Sequence, residues 1–238
     1  MPRRAIDALS IRATPFDLMG NGEPVPLLTS AQRQQLVSVA TKLTVRAGHV
    51  LYREDTVATS IFVCADGAVK SFRELPSGTR RVAMFLFGGD IFGLAENGRY
   101  VNTAQAIVPS TIYRLPVDVL TALLRQDPEL DFQFLCKVTH ELREAQRRII
   151  AMGRRDATGR VAMFLLMIRR RHPSGRLQGN AIPLPMSRSD IAGYLGLSLE
   201  AVSRATGSMV KDGMLAFDGR HSVRVLDQER LDKLAADL

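Results

Sequence analysis

Between Ser187 and Met209 the chain carries two capped helical segments joined at Gly196, and this spacing constrains its fold more than any other feature. Ser187-Arg188-Ser189-Asp190 reads as a helix start, with Ser187 as cap and Asp190 reaching back three residues to complete a capping box. Ile191, Ala192 and Leu195 then form the apolar side of a short helix, which Gly196 ends by supplying left-handed backbone for a sharp turn. Leu197 packs inward. Ser198 caps a second helix whose Val202, Ala205 and Met209 recur at spacings of three and four, so Glu200, Ser203, Arg204 and Gly207 point outward. A small residue at 192, glycine at 196 and a β-branched residue at 202 let two such helices cross closely, as in a helix-turn-helix.

The outward face holds the chemistry of base reading. Glutamate accepts a hydrogen bond from the exocyclic amine of cytosine, arginine forks onto guanine, and serine and leucine meet a base edge or a thymine methyl. Leu199, Glu200, Ser203 and Arg204 are therefore the candidate base readers. The ordinary alternative is a solvated i,i+4 ion pair between Glu200 and Arg204, worth only about 0.2–0.5 kcal/mol. The caps, glycine turn and buried positions share one register, however, and a wing follows. Lys211-Asp212-Gly213 closes the helix, then Met214–Phe217 and Ser222–Leu226 flank Asp218-Gly219-Arg220-His221, a strong hairpin signal. These features predict a winged helix-turn-helix that binds double-stranded DNA.

Charge agrees with a polyanionic partner. The 238-residue chain has a net charge of +8 and a pI near 10.1. Residues 153–238 hold 14 basic against 9 acidic side chains, and residues 1–152 hold 18 against 15, so the excess is denser where DNA is expected. Two cysteines and no long apolar run point to a reducing, cytoplasmic setting with no membrane span. No apolar segment follows Arg3 and Arg4, so a secretory signal is not expected.

Upstream the pattern changes twice. Leu43–Val45, Val50–Tyr52, Ile61–Cys64, Ala68–Phe72, Arg81–Phe87, Thr103–Ile107 and Thr111–Leu115 are short β-rich runs punctuated by glycine and proline, which predicts an all-β roll or barrel. Next, Leu135, Val138, Leu142, Ala145, Ile149 and Met152 follow alternating spacings of three and four, an a/d seam. One face of that helix is expected on its own roll. A seam sustained this far points to a parallel helix pair between two subunits, hence a homodimer. Gly153–Gly159 breaks the pattern and reads as a hinge, after which Val161, Phe164, Leu165 and Ile168 begin another helix. The expected organisation is α+β: a loosely ordered extension over 1–28, a β-roll over 29–125, a dimerisation helix over 126–153 and the DNA-binding domain over 154–238.

This order of parts resembles the superfamily of the cyclic-AMP receptor protein and the fumarate-nitrate reduction regulator, over about residues 30 to 230. The roll carries Gly48-His49-Val50-Leu51-Tyr52-Arg53-Glu54-Asp55, and the head carries Leu184-Pro185-Met186-Ser187-Arg188-Ser189-Asp190-Ile191-Ala192. Glu200-Ala201-Val202-Ser203-Arg204 is similar to the fumarate-nitrate branch. The resemblance implies a homodimer on a TTGA-N6-TCAA-like palindrome, with Ser187, Arg188, Ser189, Ser198 and Arg220 at phosphate-contacting positions. Leu199 stands where the cyclic-AMP branch carries arginine and is expected to prefer a thymine methyl.

The sensor half is defined by what it lacks. A cyclic-nucleotide pocket of this family uses a glutamate after the roll's glycine and an arginine beside a small hydroxyl residue. Leu94 and Asn102-Thr103-Ala104 stand there instead, and an uncompensated buried phosphate is costly. The extension holds no cysteine for an iron-sulfur cluster, and Cys64 and Cys136 read as small core residues. His49 and His140 read as ordinary exposed or core histidines rather than haem ligands. No metal, cofactor or catalytic constellation is expected, so an enzyme is not. The chain then resembles the FixK-like branch, activators of microaerobic, denitrification or nitrogen-fixation genes that lack the cluster. A sensor of the same fold gated by another small molecule or by haem is the alternative. Resemblance also makes the hairpin bearing Arg73, Glu74 and Arg80 a candidate contact for RNA polymerase, its Pro-Ser-Gly tip suiting an exposed turn.

Overall fold

The computed structural model describes residues 9–13, 24–154, 156–171 and 181–236. The chain divides into two compact units, Met1–Arg73 with Ala83–Arg143 and Glu74–Val82 with Glu144–Leu238. Among the described residues no helix is long and apolar enough to cross a membrane.

The first unit opens with β1 (Arg12–Ala13) paired to β2 (Val25–Pro26), then α1 (Ser30–Val39), which starts in a capping box between Thr29 and Gln32. The strands are β3 (Thr41–Val45), β4 (Val50–Tyr52), β5 (Ser60–Asp66), β6 (Ala68–Glu74), β7 (Arg80–Phe87), β8 (Ile91–Phe92), β9 (Ala95–Glu96), β10 (Arg99–Tyr100), β11 (Thr103–Ala106) and β12 (Ser110–Pro116). They form two four-stranded sheets, ordered β4-β11-β6-β7 and β3-β12-β5-β8, so the predicted β-roll is present and each expected strand lies within a few residues of its place. The long apolar run of β5 is explained by two cores. Phe62 and Cys64 point between the sheets, with Val69, Leu86, Phe92, Tyr100, Ala104 and Ile112, while Val63 and Ala65 point to the opposite side.

That opposite side is covered by helices and by the N-terminal segment. Leu9 and Ile11 are fully buried with Leu36, Val63, Leu115, Leu120, Leu130 and Phe134. The described part of the extension is thus an ordered component of the core, contrary to the loose segment expected from its prolines. The reason is local: a leucine and an isoleucine two residues apart on extended backbone present one apolar face, and β2 secures it. Residues 1–8 and 14–23 lie outside the described residues.

Two helices close this unit. α2 (Val117–Gln126) falls inside the stretch read as roll, and α3 (Pro128–Arg154) begins with proline at its first position and Asp127 accepting a hydrogen bond from Leu130 N (2.9 Å). Leu130, Phe134, Lys137 and His140 form the buried face of α3. Lys137, only 1 % exposed, places Nζ 2.8 Å from Asp90 Oδ1 and 2.8 Å from Glu141 Oε1, while Asp90 Oδ2 accepts from Phe87 N. Burial pushes the Lys137 ammonium toward losing its proton, and the two carboxylates reverse that, raising its proton affinity overall.

The second unit holds α4 (Ala157–Arg171), β13 (Ala181–Pro183), α5 (Arg188–Leu195), α6 (Leu199–Lys211), β14 (Leu215–Phe217), β15 (Ser222–Val225) and α7 (Gln228–Ala236). The expected hinge is brief: α3 runs to Arg154, and Asp156 caps α4 by accepting from Gly159 N (2.7 Å). Arg155 lies outside the described residues. The strands form a sheet ordered β13-β15-β14, and Val161, Phe164, Leu165, Ile168, Leu195, Val202, Met209, Leu215, Val223 and Leu231 are buried between it and the helices.

Candidate nucleic-acid interface

The two helices of the predicted reader form as their caps require. Ser187 Oγ accepts from Asp190 N (3.0 Å) and donates to Asp190 Oδ2 (2.8 Å), and Ser187 N also donates to that carboxylate (3.3 Å). α5 ends at Gly196, whose φ of 64° is left-handed, with Leu197 N closing onto Ala192 O (3.0 Å). Ser198 Oγ then accepts from Ala201 N (3.1 Å) and opens α6. The glycine within α5 serves close approach: a Cβ on Gly193 would lie 2.6 Å from Arg80 O, so the strand segment that belongs to this unit can pass only against a bare backbone.

α6 is amphipathic as read. Val202, Ala205, Thr206 and Met209 are buried, whereas Glu200, Arg204, Gly207 and Ser208 are exposed and Ser203 is half-buried. Leu199 is 51 % exposed, a large apolar side chain left at the first turn of the helix. Among the described residues no hydrogen bond or ion pair engages the side chain of Glu200 or Arg204, so the i,i+4 pair is not made. Buried Thr206 takes no part in the outer face, because its hydroxyl donates to Val202 O (2.9 Å) and Ser203 O (3.0 Å). The exposed set offers one carboxylate acceptor, one guanidinium fork, one hydroxyl and one apolar end, the complement of a base-pair edge.

The candidate backbone contacts divide by what their side chains already do. Ser187 uses its hydroxyl both as donor and as acceptor inside the capping box. Ser198 only accepts, so its hydroxyl proton stays available to a phosphate oxygen. Ser189 is exposed. Arg188 lies 5.4 Å from the Phe217 ring centroid, a cation–π contact that fixes its stem against the wing while its edge N–H groups remain open. Arg220 is exposed at the wing turn, where Asp218 N donates to Ser222 O (3.0 Å). The wing is braced by Arg224, whose Nη2 and Nε donate to Asp218 (2.7 and 3.2 Å) and hold its carboxyl below the usual range.

Residues 159–234 match the Crp-like helix-turn-helix domain, and residues 42–127 match the cyclic nucleotide-binding domain. The chain is 30 % identical over 209 residues to the nitrogen fixation regulation protein FixK of Bradyrhizobium diazoefficiens, covering 88 % of each chain. It is 35 % identical over 190 residues to the transcriptional activatory protein AadR of Rhodopseudomonas palustris, covering 78 % of this chain and 77 % of that one. The solved structure of FixK2 from Bradyrhizobium japonicum superposes with a TM-score of 0.78 at 33 % identity, over 84 % of this chain and 99 % of that chain. The chain belongs to the Crp/Fnr family. It is a DNA-binding transcription regulator of the FixK-like type, as the sequence motifs implied.

As a Crp/Fnr chain, its sensor half is informative. Tyr52 and Tyr100 stack with centroids 3.9 Å apart, and Phe62 and Phe92 join them at 5.3 to 6.5 Å. Tyr100 donates to Ser60 O (2.7 Å) and accepts from Ser60 N (3.2 Å), which locks the ring in place. Leu94 is exposed, Ala104 is buried in the same core, and Thr103 Oγ1 accepts from Glu54 N (3.0 Å). Burial and neighbouring aspartates push the Cys64 thiol well above its ordinary range, that of an unreactive core residue, and Cys136 is half-buried. His49 is exposed, and the buried His140 accepts at Nδ1 from Arg143 Nη2 (2.8 Å). Among the described residues no group of three or more His, Cys, Asp or Glu side chains is placed to hold a metal ion.

The Crp/Fnr seam also has a clear layout on α3. Leu135 (60 %), Val138, Leu142 (58 %) and Ile149 (67 %) stand exposed, and Ala145 is half-buried. Met152 differs from the others. Its Cε lies 3.0 Å from where a Cβ on Gly196 would sit, so its side chain rests on the turn of its own reading head. On the hairpin, Arg73 donates from Nε to Glu54 Oε1 (2.7 Å) and Arg80 lies 3.4 Å from Glu74 Oε2, all on exposed surface. Sequence reading missed the buried Lys137 cluster; two charged residues along the seam and an aspartate some 47 positions earlier give no signal that they meet in the interior.

Proposed function

We propose that this Crp/Fnr regulator acts mainly as an activator, binding as a homodimer to a TTGA-N6-TCAA-like palindrome without a bound small molecule. The observation that carries the cofactor-free reading is the roll interior, filled by the packed rings of Tyr52, Phe62, Phe92 and Tyr100 and lacking the charged residues that hold a cyclic phosphate. Reading then falls to α6. Arg204 forks onto a guanine, Glu200 accepts from a cytosine amine, Ser203 meets a base edge, and Leu199 lies against a thymine methyl. Arg188, Ser189, Ser198 and Arg220 grip phosphates, fixing register without carrying sequence information. The exposed stripe of Leu135, Val138, Leu142 and Ile149 supports a second α3 as its partner, because a row of large apolar side chains in water favours burial. Arg73, Glu74 and Arg80 are the proposed RNA polymerase contact. The relatives are a nitrogen fixation regulation protein and a transcriptional activatory protein, which supports an activator role; its proposed targets are microaerobic, denitrification or nitrogen-fixation genes, and its proposed setting is the cytoplasm.

Titrating labelled duplexes tests this. The palindrome is expected to bind more tightly than a duplex with scrambled half-sites, with cyclic AMP absent and with no change on its addition. Equal affinity for both duplexes, or binding only once the nucleotide is present, would overturn the reading. Charge reversal at Glu74 or Arg80 is expected to abolish transcription at an unchanged DNA affinity; unchanged transcription removes the polymerase contact.

A further inference from the structure

Arg160, near the start of α4, joins the ends of two other helices. Its Nη2 donates to Met152 O (2.6 Å) in the last turn of α3, and its Nη1 donates to Leu195 O (3.3 Å) at the last residue of α5. Both acceptors belong to helix ends, where carbonyls lack intrahelical partners and the dipole is negative. A planar guanidinium that serves two such carbonyls fixes the ends relative to each other, which a flexible point charge does not.

Two more contacts lie around the same junction. Arg148, on α3, sits 4.8 Å from the ring centroid of Tyr194 on α5. Met152 Cε occupies the space that a side chain at Gly196 would need. All of these residues belong to the second unit, as do the seam positions Ala145 and Ile149. The end of α3 and the helix-turn-helix are therefore keyed by charge, ring and van der Waals contact at one junction.

We infer that Arg160 is a positioning residue for DNA reading: it sets the pose of α5 and α6 against the end of α3, and so the separation of the two recognition helices in a dimer. The inference rests on the dimeric reading above. Two heads docking on one face of a duplex must present their helices about one turn, roughly 34 Å, apart. Arg160 itself touches no base; its effect is confined to whether both heads engage together.

The test is equilibrium binding of the full chain to a palindrome, to a duplex with one half-site, and to palindromes whose spacer is one base pair longer or shorter. Simultaneous engagement of two sites raises affinity by roughly 100- to 10,000-fold over one, and this gain disappears where geometry forbids it. Arg160→Met is expected to lose at least about tenfold of the palindrome preference, to leave half-site affinity within about twofold, and to flatten the spacer dependence. Arg160→Lys, which keeps the charge without the fork, should fall between the two. If Arg160→Met melts at the assay temperature, Arg160→Lys carries the same comparison. A variant that keeps palindrome preference and spacer dependence overturns the inference alone. Equal losses on palindrome and half-site also overturn it, because they place Arg160 in the stability or phosphate grip of a single head. A wild-type chain with no palindrome preference removes the dimeric reading and this inference with it.

Discussion

The roll interior and the outer face of α6 are opposites in how their side chains are satisfied. Inside the roll, Tyr100 exchanges hydrogen bonds with both backbone groups of Ser60, the aromatic rings stack on one another, and Lys137 on the neighbouring core is matched by two carboxylates. On α6, Glu200 and Arg204 stand i,i+4 apart, the spacing that favours an ion pair, and make none. The first region completes itself with its own residues. The second leaves donors, acceptors and an apolar end facing outward, which is what a surface built to meet another molecule requires.

That contrast can be broken most forcefully at Lys137. Replacing it with methionine leaves Asp90 and Glu141 buried without their cation, with an expected loss of about 3–5 kcal/mol of stability by urea unfolding. Its proton affinity is raised in the folded state, so its stabilisation is fully present below the ordinary value of 10.5 and is lost as pH climbs through the raised one. The gap between wild type and Lys137→Met should therefore persist from about pH 6 to 9. A gap under about 1 kcal/mol would show that the cluster is not the self-contained feature described here.

The other side of the contrast predicts the reverse pattern. Arg204→Ala should cost about 1–3 kcal/mol of discrimination between specific and random DNA while leaving stability within about 0.5 kcal/mol. Equal weakening on both DNAs would deny Arg204 a base-reading role. Tyr100→Phe should lose about 1–3 kcal/mol of stability, since it orphans both Ser60 backbone groups, with specificity untouched. Altered specificity there would mean that the roll interior communicates with the reader. Ser198→Ala, at the border between cap and contact, should lower stability by about 1 kcal/mol and soften the salt dependence of DNA binding. An unchanged salt slope would make Ser198 a cap alone.

The reading head was legible because its signals are local. A capping box, a glycine turn and a three-four apolar spacing each act within a few residues, and Ser187, Gly196 and Ser198 all do what their positions imply. The roll was legible for the same reason, through alternation and turn residues. Long-range packing was not. Leu9 and Ile11 sit among prolines and polar residues, and only a core built from distant strands and helices explains their burial. α2 and α7 are short and were hidden beside stronger neighbours; α7 is marked only by Asp227, which accepts from Arg230 N (3.0 Å), and by the fully buried Leu231. Met152 matched the seam by spacing yet packs on Gly196, because the helix ends there and the head lies within its reach. Ser187 matches a phosphate-contacting position by resemblance, and its hydroxyl also donates to and accepts from Asp190, a local engagement that spacing alone does not show.

The most direct measurement is selection of bound sequences from a random DNA pool by the purified full chain with no small molecule added. A chain that reads DNA with Leu199, Glu200, Ser203 and Arg204, as a dimer whose sensor half is filled by its own side chains, enriches a palindrome with TTGA-like half-sites at one fixed spacing. Enrichment of single half-sites, or of no sequence until a nucleotide or haem is supplied, would contradict that account.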